Sequence, residues 1–262
     1  VNVSGLLPLT KELAAYDDLR QALQDADGSR WLAGHVNSAA HAYLLAALQR
    51  DRVRPLLVVA PRPEAARKLF EAITRWTMTP EAVHHFPAPD ASFYDKIAWD
   101  PETTRRRVRI LAMLAAPGRF VSDAYPPLVV TSAAALMLKT AAPAHLNKGI
   151  SQIKVGQRLD LNRFLEGLLR IGYQPATVVE ESGYFSRRGG IIDVYAPSAE
   201  HPLRIELFGD EIDSLRTFDP HTQRSLDDVK EAQFCPATEA VPLYGRMAAK
   251  KIERMDLDRL LA

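Results

Sequence analysis

The chain has 262 residues, 47% hydrophobic and 25% charged, and its net charge of +1 gives no global attraction to nucleic acid, so any basic surface must be local. Its single cysteine, Cys235, leaves no internal disulfide and no Cys cluster for a metal, as expected in a reducing cytoplasm. Apolar runs such as Leu56 to Ala60 fall far short of the roughly 20 residues of a membrane span, and no basic-then-apolar leader opens the chain, so no membrane role is expected. The length exceeds one ordinary domain. A start at Val1 and a stop at Ala262 within a charged helical pattern suggest a fragment of something longer.

Leu13, Ala14, Tyr16, Leu19 and Leu23 recur at helical spacing and predict a helix over Leu9 to Leu23, closed by Gly28. Arg30 to Ala33 reads as a strand, and Ser38 to Gln49, rich in Ala and Leu, as a second helix. Leu56-Leu57-Val58-Val59 is a continuous apolar run of the kind that makes a buried parallel strand. Pro63 suits a first helical turn, and the helix through Leu69 and Ile73 extends to about Arg75. Val83 to Phe86 and Leu128 to Thr131 read as strands; between them Pro101 opens a helix to about Ala115, with Val108, Leu111, Met113 and Leu114 for its apolar side. This alternation predicts a mainly parallel sheet with helices packed on it.

The composition changes near Thr140 to Pro143, a plausible domain start. Ile153 and Val155 fit a short strand. Leu161 to Ile171 forms an amphipathic helix with Phe164, Leu165, Leu168 and Leu169 inward, closed by Gly172. Leu203, Ile205 and Leu207 alternate with Arg204 and Glu206, Gly209-Asp210 supplies a tight turn, and Ile212, Leu215 and Phe218 mark the returning strand of a hairpin. Upstream, Arg187-Arg188 stands at a strand entrance beside Gly189-Gly190, before the apolar run Ile191, Ile192, Val194 and Tyr195. A charged helix is expected from about Arg246 to Leu261, in a tail that returns to the first domain.

RGGIIDVYAP, followed by PLRIELFGDEIDSLRTFDPHTQRS, resembles the UvrB-homology module of bacterial transcription-repair coupling factors, the Mfd family. FPAPDASFYDKIAWDPETTRRRVRILAML and KVGQRLDLNRFLEGLLRIGYQPATVVEESGYF extend the resemblance over most of the chain. It implies an α/β fold: a helicase-like parallel-sheet domain lacking a working P-loop, with an inserted smaller α+β domain. The corresponding division is 1–140, then 141–224 as a UvrA-binding type of domain, then 225–262 as the return segment. The implied partner is UvrA. RNA polymerase, double-stranded DNA, ATP and magnesium are implied only for the full-length protein, whose motor domains lie outside this chain.

A phosphate-binding loop needs glycines whose amides cradle phosphates, a Lys, and a Ser/Thr for magnesium. At the matching place only Gly34 survives; Asn37 and Ala39 occupy glycine positions, Ala40 the lysine position and His41 the hydroxyl position. No catalytic residue, cofactor or metal ligand is therefore assigned. In the resemblance Arg188 matches the arginine that contacts UvrA, with Arg187, Tyr184 and Ile191 as neighbours, whereas a further UvrB arginine is replaced by Ser186 and a basic position by Gln174. A surface ion pair with Glu180 or Glu181 is the plainer reading of either arginine. Arg105, Arg106 and Arg109, with Arg107, form the densest basic cluster and are candidate phosphate contacts, or else a solvated helix face paired with Glu102. Phe93, Tyr94 and Trp99 stand where UvrB inserts an aromatic hairpin, and packing is their plainer role. The alternatives to a non-catalytic recruitment module are a UvrB-like ATP-dependent repair helicase subunit and a direct DNA-binding module.

Overall fold

The computed structural model describes residues 3–24, 32–51, 54–89, 99–120 and 126–239. The chain divides into two compact units, one of Val1–Asp90 with Val121–Lys139 and one of Ala91–Phe120 with Thr140–Ala262.

The first unit carries the parallel sheet. Its strands β1 (Leu56–Ala60), β2 (Val83–Phe86) and β3 (Leu128–Ser132) lie in the order β1-β3-β2, and all pairs are parallel. Helices α1 (Ala14–Gln24), α2 (His41–Asp51) and α3 (Pro63–Trp76) belong to the same unit, α3 opening on Pro63 as its sequence predicts. The run expected to be buried throughout, Leu56 to Val59, lies on an outer strand and leaves Leu57 and Val59 exposed; the central β3 is the strand whose every residue is buried. The predicted helix Leu9 to Leu23 is two elements, a 3-10 helix Ser4–Glu12 followed by α1. Pro8 has no N–H to give an α-helical bond, and the extended backbone of Leu13 separates the two. Arg30 and Trp31 of the predicted strand lie outside the described residues, and Leu32 and Ala33 belong to no strand.

The second unit contains helix α4 (Pro101–Ala115), opened by Pro101 and capped by Asp100, whose carboxylate accepts the Thr103 N–H at 2.9 Å. Strand β4 (Ser151–Lys154) pairs antiparallel with β11 (Glu231–Phe234). Between them in sequence, β5 (Gln174–Pro175), β6 (Tyr184–Arg188), β7 (Ile191–Val194), β8 (Leu203–Phe208), β9 (Glu211–Phe218) and β10 (Ser225–Asp228) form one sheet in the order β10-β9-β8-β7-β6-β5. Only the β5–β6 pair is parallel. The β8–β9 hairpin turns at Gly209, whose φ of +66° suits a residue without a Cβ. Gly189-Gly190 is itself a two-residue hairpin turn, Gly189 having φ +62°, so the arginine pair ends β6 and does not stand at the start of β7.

Strand alternation sends Phe185, Ile192, Val194, Leu203, Ile205 and Leu215 into one core, with Leu168 of the helix Leu161–Arg170 buried in the same cluster. Leu169, expected inward, is exposed. On α4 the buried positions are Thr103, Val108, Ile110, Ala112 and Met113, together with Arg107, while Leu114 is exposed. Residues 231–234 are held in this unit by β4, and the predicted helix from Arg246 lies outside the described residues.

Candidate functional site

The second face of the six-stranded sheet is polar. Register pairs Ser186 with Asp193, Asp193 with Arg204, Arg204 with Arg216 and Arg216 with Asp228, a row that crosses five strands. Asp193 is 1% exposed, and a buried carboxylate is tolerated only when it is paired and hydrogen-bonded. Its partners are arginines on both sides. Arg204 donates from Nε at 2.7 Å and from Nη2 at 2.9 Å, and Arg188 donates from Nη2 at 2.8 Å. The bond to Asp193 raises the Arg204 pKa, and the guanidinium also stacks 4.6 Å from the Phe218 ring centroid. Arg204 is thereby consumed internally, whereas Arg188 keeps 55% of its side chain exposed. Further along, Arg216 lies 3.0 Å from Asp228 and 3.6 Å from Glu206, which accepts the Ser214 hydroxyl at 2.7 Å.

Of the residues singled out from sequence, Arg188 and Ile191 are cross-strand neighbours on this face, and Tyr184 is a partly buried member of it two positions before Ser186. Arg187 points to the opposite face, as adjacent strand residues must, and donates from Nε to the Gly189 carbonyl at 3.3 Å. The ion pair expected with Glu180 or Glu181 is made instead by Arg188 with Asp193. Ser186 is buried, and its hydroxyl has no hydrogen-bond partner among the described residues. One residue of this face escaped sequence reasoning: Phe208, at the tip of β8 and 82% exposed. The available signal was alternation, which sends Phe208 to the side of Arg204 and Glu206 while Leu207 packs on the core. The two hairpin turns lie side by side here, for the Leu207 N–H donates to the Gly190 carbonyl at 2.9 Å. A Cβ on Gly190 would approach the Leu207 carbonyl oxygen to 3.2 Å.

At the degenerate phosphate loop, Asn37 caps the start of the helix: its Oδ1 accepts the Ala39 N–H at 3.0 Å, engaging one of the amides that a phosphate would use. Ala40 ends the short 3-10 turn that begins at Ser38, and His41 opens α2. A cavity of about 480 Å³ beside this turn is lined by Leu13, Tyr16, Leu19, Val36, Tyr43 and Gly34 among others. Its described lining holds the carboxylate of Asp18 and no cation, the wrong chemistry for a polyphosphate.

The arginines of α4 are dispersed among intramolecular partners. Arg105 donates to the Ala199 carbonyl at 3.0 Å, lies 3.4 Å from Glu102 and stands over the Tyr195 ring. Arg106 is exposed and pairs with Glu102 at 2.8 Å, and Arg109 is also exposed. Arg107, fully buried, binds both carboxylate oxygens of Glu239 and stacks on Trp99. Phe93 and Tyr94 lie outside the described residues.

Residues 151–239, which include the whole six-stranded sheet, match the family described as the UvrB interaction domain. The chain is 33% identical over 219 residues to the transcription-repair-coupling factor of Myxococcus xanthus, covering 82% of this chain and 18% of that protein. It is 30% identical over 239 residues to that of Staphylococcus aureus strain USA300, and 26% identical over 247 residues to that of Bacillus subtilis strain 168. These alignments cover 90% and 94% of the chain respectively, and the chain spans about a fifth of the length of the curated relatives it matches.

Proposed function

For a chain that is homologous to the N-terminal region of transcription-repair-coupling factors and contains a UvrB interaction domain, we propose a non-catalytic role, the recruitment of UvrA to stalled transcription through the polar sheet face around Arg188. The observation that carries this reading is the state of Arg188. It is half exposed inside the matched segment, yet steadied by a buried carboxylate that Arg204 holds from the other side. An arginine fixed in this way presents its remaining donors with less conformational freedom to lose, which favours capture of a partner carboxylate. Ile191 supplies apolar area beside it, and Arg187, on the other face, is assigned no direct share. The capped helix start, and a cavity whose described lining holds no cation, support the reading without nucleotide chemistry in this region. RNA polymerase, double-stranded DNA and ATP are assigned to the remainder of a longer protein, in the cytoplasm.

Titration of the purified chain with UvrA tests this. Arg188→Glu is expected to weaken binding at least tenfold, about 1.4 kcal/mol, and to lower the thermal midpoint because it sets a second carboxylate against the buried Asp193. Arg188→Gln, which removes the charge alone, is expected to weaken binding with a smaller fall in midpoint. Unchanged affinity in Arg188→Glu would remove Arg188 from the site.

A further inference from the structure

Among the described residues Phe208 is the one exposed phenylalanine or tryptophan, and nothing in the fold accounts for its position. Leu207 turns inward to the core, so alternation directs Phe208 to the polar face. On that face Glu206 pairs across with Ile191, and one step further toward the turns stands Gly189, which brings no side chain to cover the ring. Both hairpin turns at this end have two residues, and the Leu207–Gly190 hydrogen bond ties them together, so the ring is carried on a fixed edge. On the same face, with Ile191 and Glu206 between them and the ring in register, the Arg188–Asp193–Arg204 triad sets two guanidinium groups against one carboxylate, and its exposed part is Arg188. An exposed aromatic on the same sheet face as a half-exposed arginine is the composition of a protein-binding hot spot.

We propose that Phe208 is the apolar anchor of this surface, seated in an apolar socket of the partner protein whose rim presents a carboxylate to Arg188. This rests on the reading given under Proposed function and adds to it the residue that supplies apolar burial and the chemistry the partner must offer. The ring removes its area from water on docking while the guanidinium, already held by Asp193, forms the charged contact at its edge.

The test is titration of the purified chain with UvrA by biolayer interferometry, using wild type, Phe208→Ala, Phe208→Leu, Arg188→Glu and Leu226→Ala, with a thermal melt and sedimentation of each. Leu226 is an exposed apolar residue on β10, at the far edge of the sheet. Phe208→Ala is expected to weaken binding at least tenfold at an unchanged melting midpoint, Phe208→Leu to keep most of the affinity, and Leu226→Ala to match wild type. Wild-type affinity in Phe208→Ala, with Arg188→Glu weakened, overturns the anchor and leaves the UvrA reading standing. Equal losses in Phe208→Ala and Leu226→Ala also overturn the anchor. So does a self-associating wild type that Phe208→Ala turns into monomers without changing UvrA affinity. Wild type that does not bind UvrA overturns both.

Discussion

Helix α4 and the polar face of the six-stranded sheet are both rich in arginine and belong to the same compact unit, but they use arginine in opposite ways. On α4, Arg107 is fully buried against Glu239 and Trp99, and Arg105 is tied to a backbone carbonyl and an aromatic ring. On the sheet it is the carboxylate, Asp193, that is buried, and of the arginines it holds one remains half exposed. What distinguishes a structural arginine from a presenting one is therefore whether the arginine of the ion pair is itself buried, as Arg107 is and Arg188 is not. A dense run of arginines says little about binding until that is known.

The comparison breaks most readily at Arg107. Arg107→Met leaves the Glu239 carboxylate buried without its partner, and a loss of about 3–5 kcal/mol is expected in urea unfolding. Near-wild-type stability would mean that α4 does not depend on this pair. A second, smaller effect concerns Cys235, buried with Val108 and Ala112 of α4. Burial raises its thiol pKa from 9.0 to about 11, so above pH 9 the unfolded chain releases a proton that the folded chain keeps. This contribution is fully present below pH 9 and is lost as pH rises toward 11, at up to about 1.4 kcal/mol per pH unit. Urea midpoints at pH 8 and 10.5 should show the fall in wild type and a shallower one in Cys235→Ala; equal slopes would count against a buried thiol. The smallest effect is expected for Arg106→Ala, whose pair with Glu102 is half exposed, within about 0.5 kcal/mol. A steep salt dependence of duplex binding that this variant abolished would turn α4 into a nucleic-acid surface.

Much of the sheet was legible because its signals are local. Leu203 to Phe218 alternates around a Gly-Asp pair, and a strand partner one turn away leaves few competing registers. The Gly189-Gly190 turn was harder, since arginines before it and isoleucines after it made it look like a strand start, although a pair of glycines is itself a hairpin signal. Burial was legible only where neighbours are local. The apolar run of β1 could not announce that it lies on the outside of its sheet, and nothing near Arg107 in sequence identifies Glu239, 132 residues away. Thr103, Arg107 and Ile110 share a buried helical face, but the sequence placed the apolar side at Val108, Leu111, Met113 and Leu114 and counted Arg107 among the basic cluster, so its burial was missed. Arg188 was found by resemblance and Phe208 was missed, because a phenylalanine at a strand end reads as core until the strand's register is fixed.

The pairing of β4 with β11 has a further consequence for what can be cut away. Among the described residues the first strand of the second unit is fastened by its last, and α4, which precedes both, is fastened by a carboxylate beyond them. A chain ended at residue 224 would keep the hairpins but strip β4 of its hydrogen-bonded neighbour and take the Glu239 carboxylate away from Arg107. The smallest piece that retains both closures starts no later than Trp99 and ends no earlier than Glu239. The segment recognised by sequence, 151–239, is therefore shorter than the segment that holds itself together.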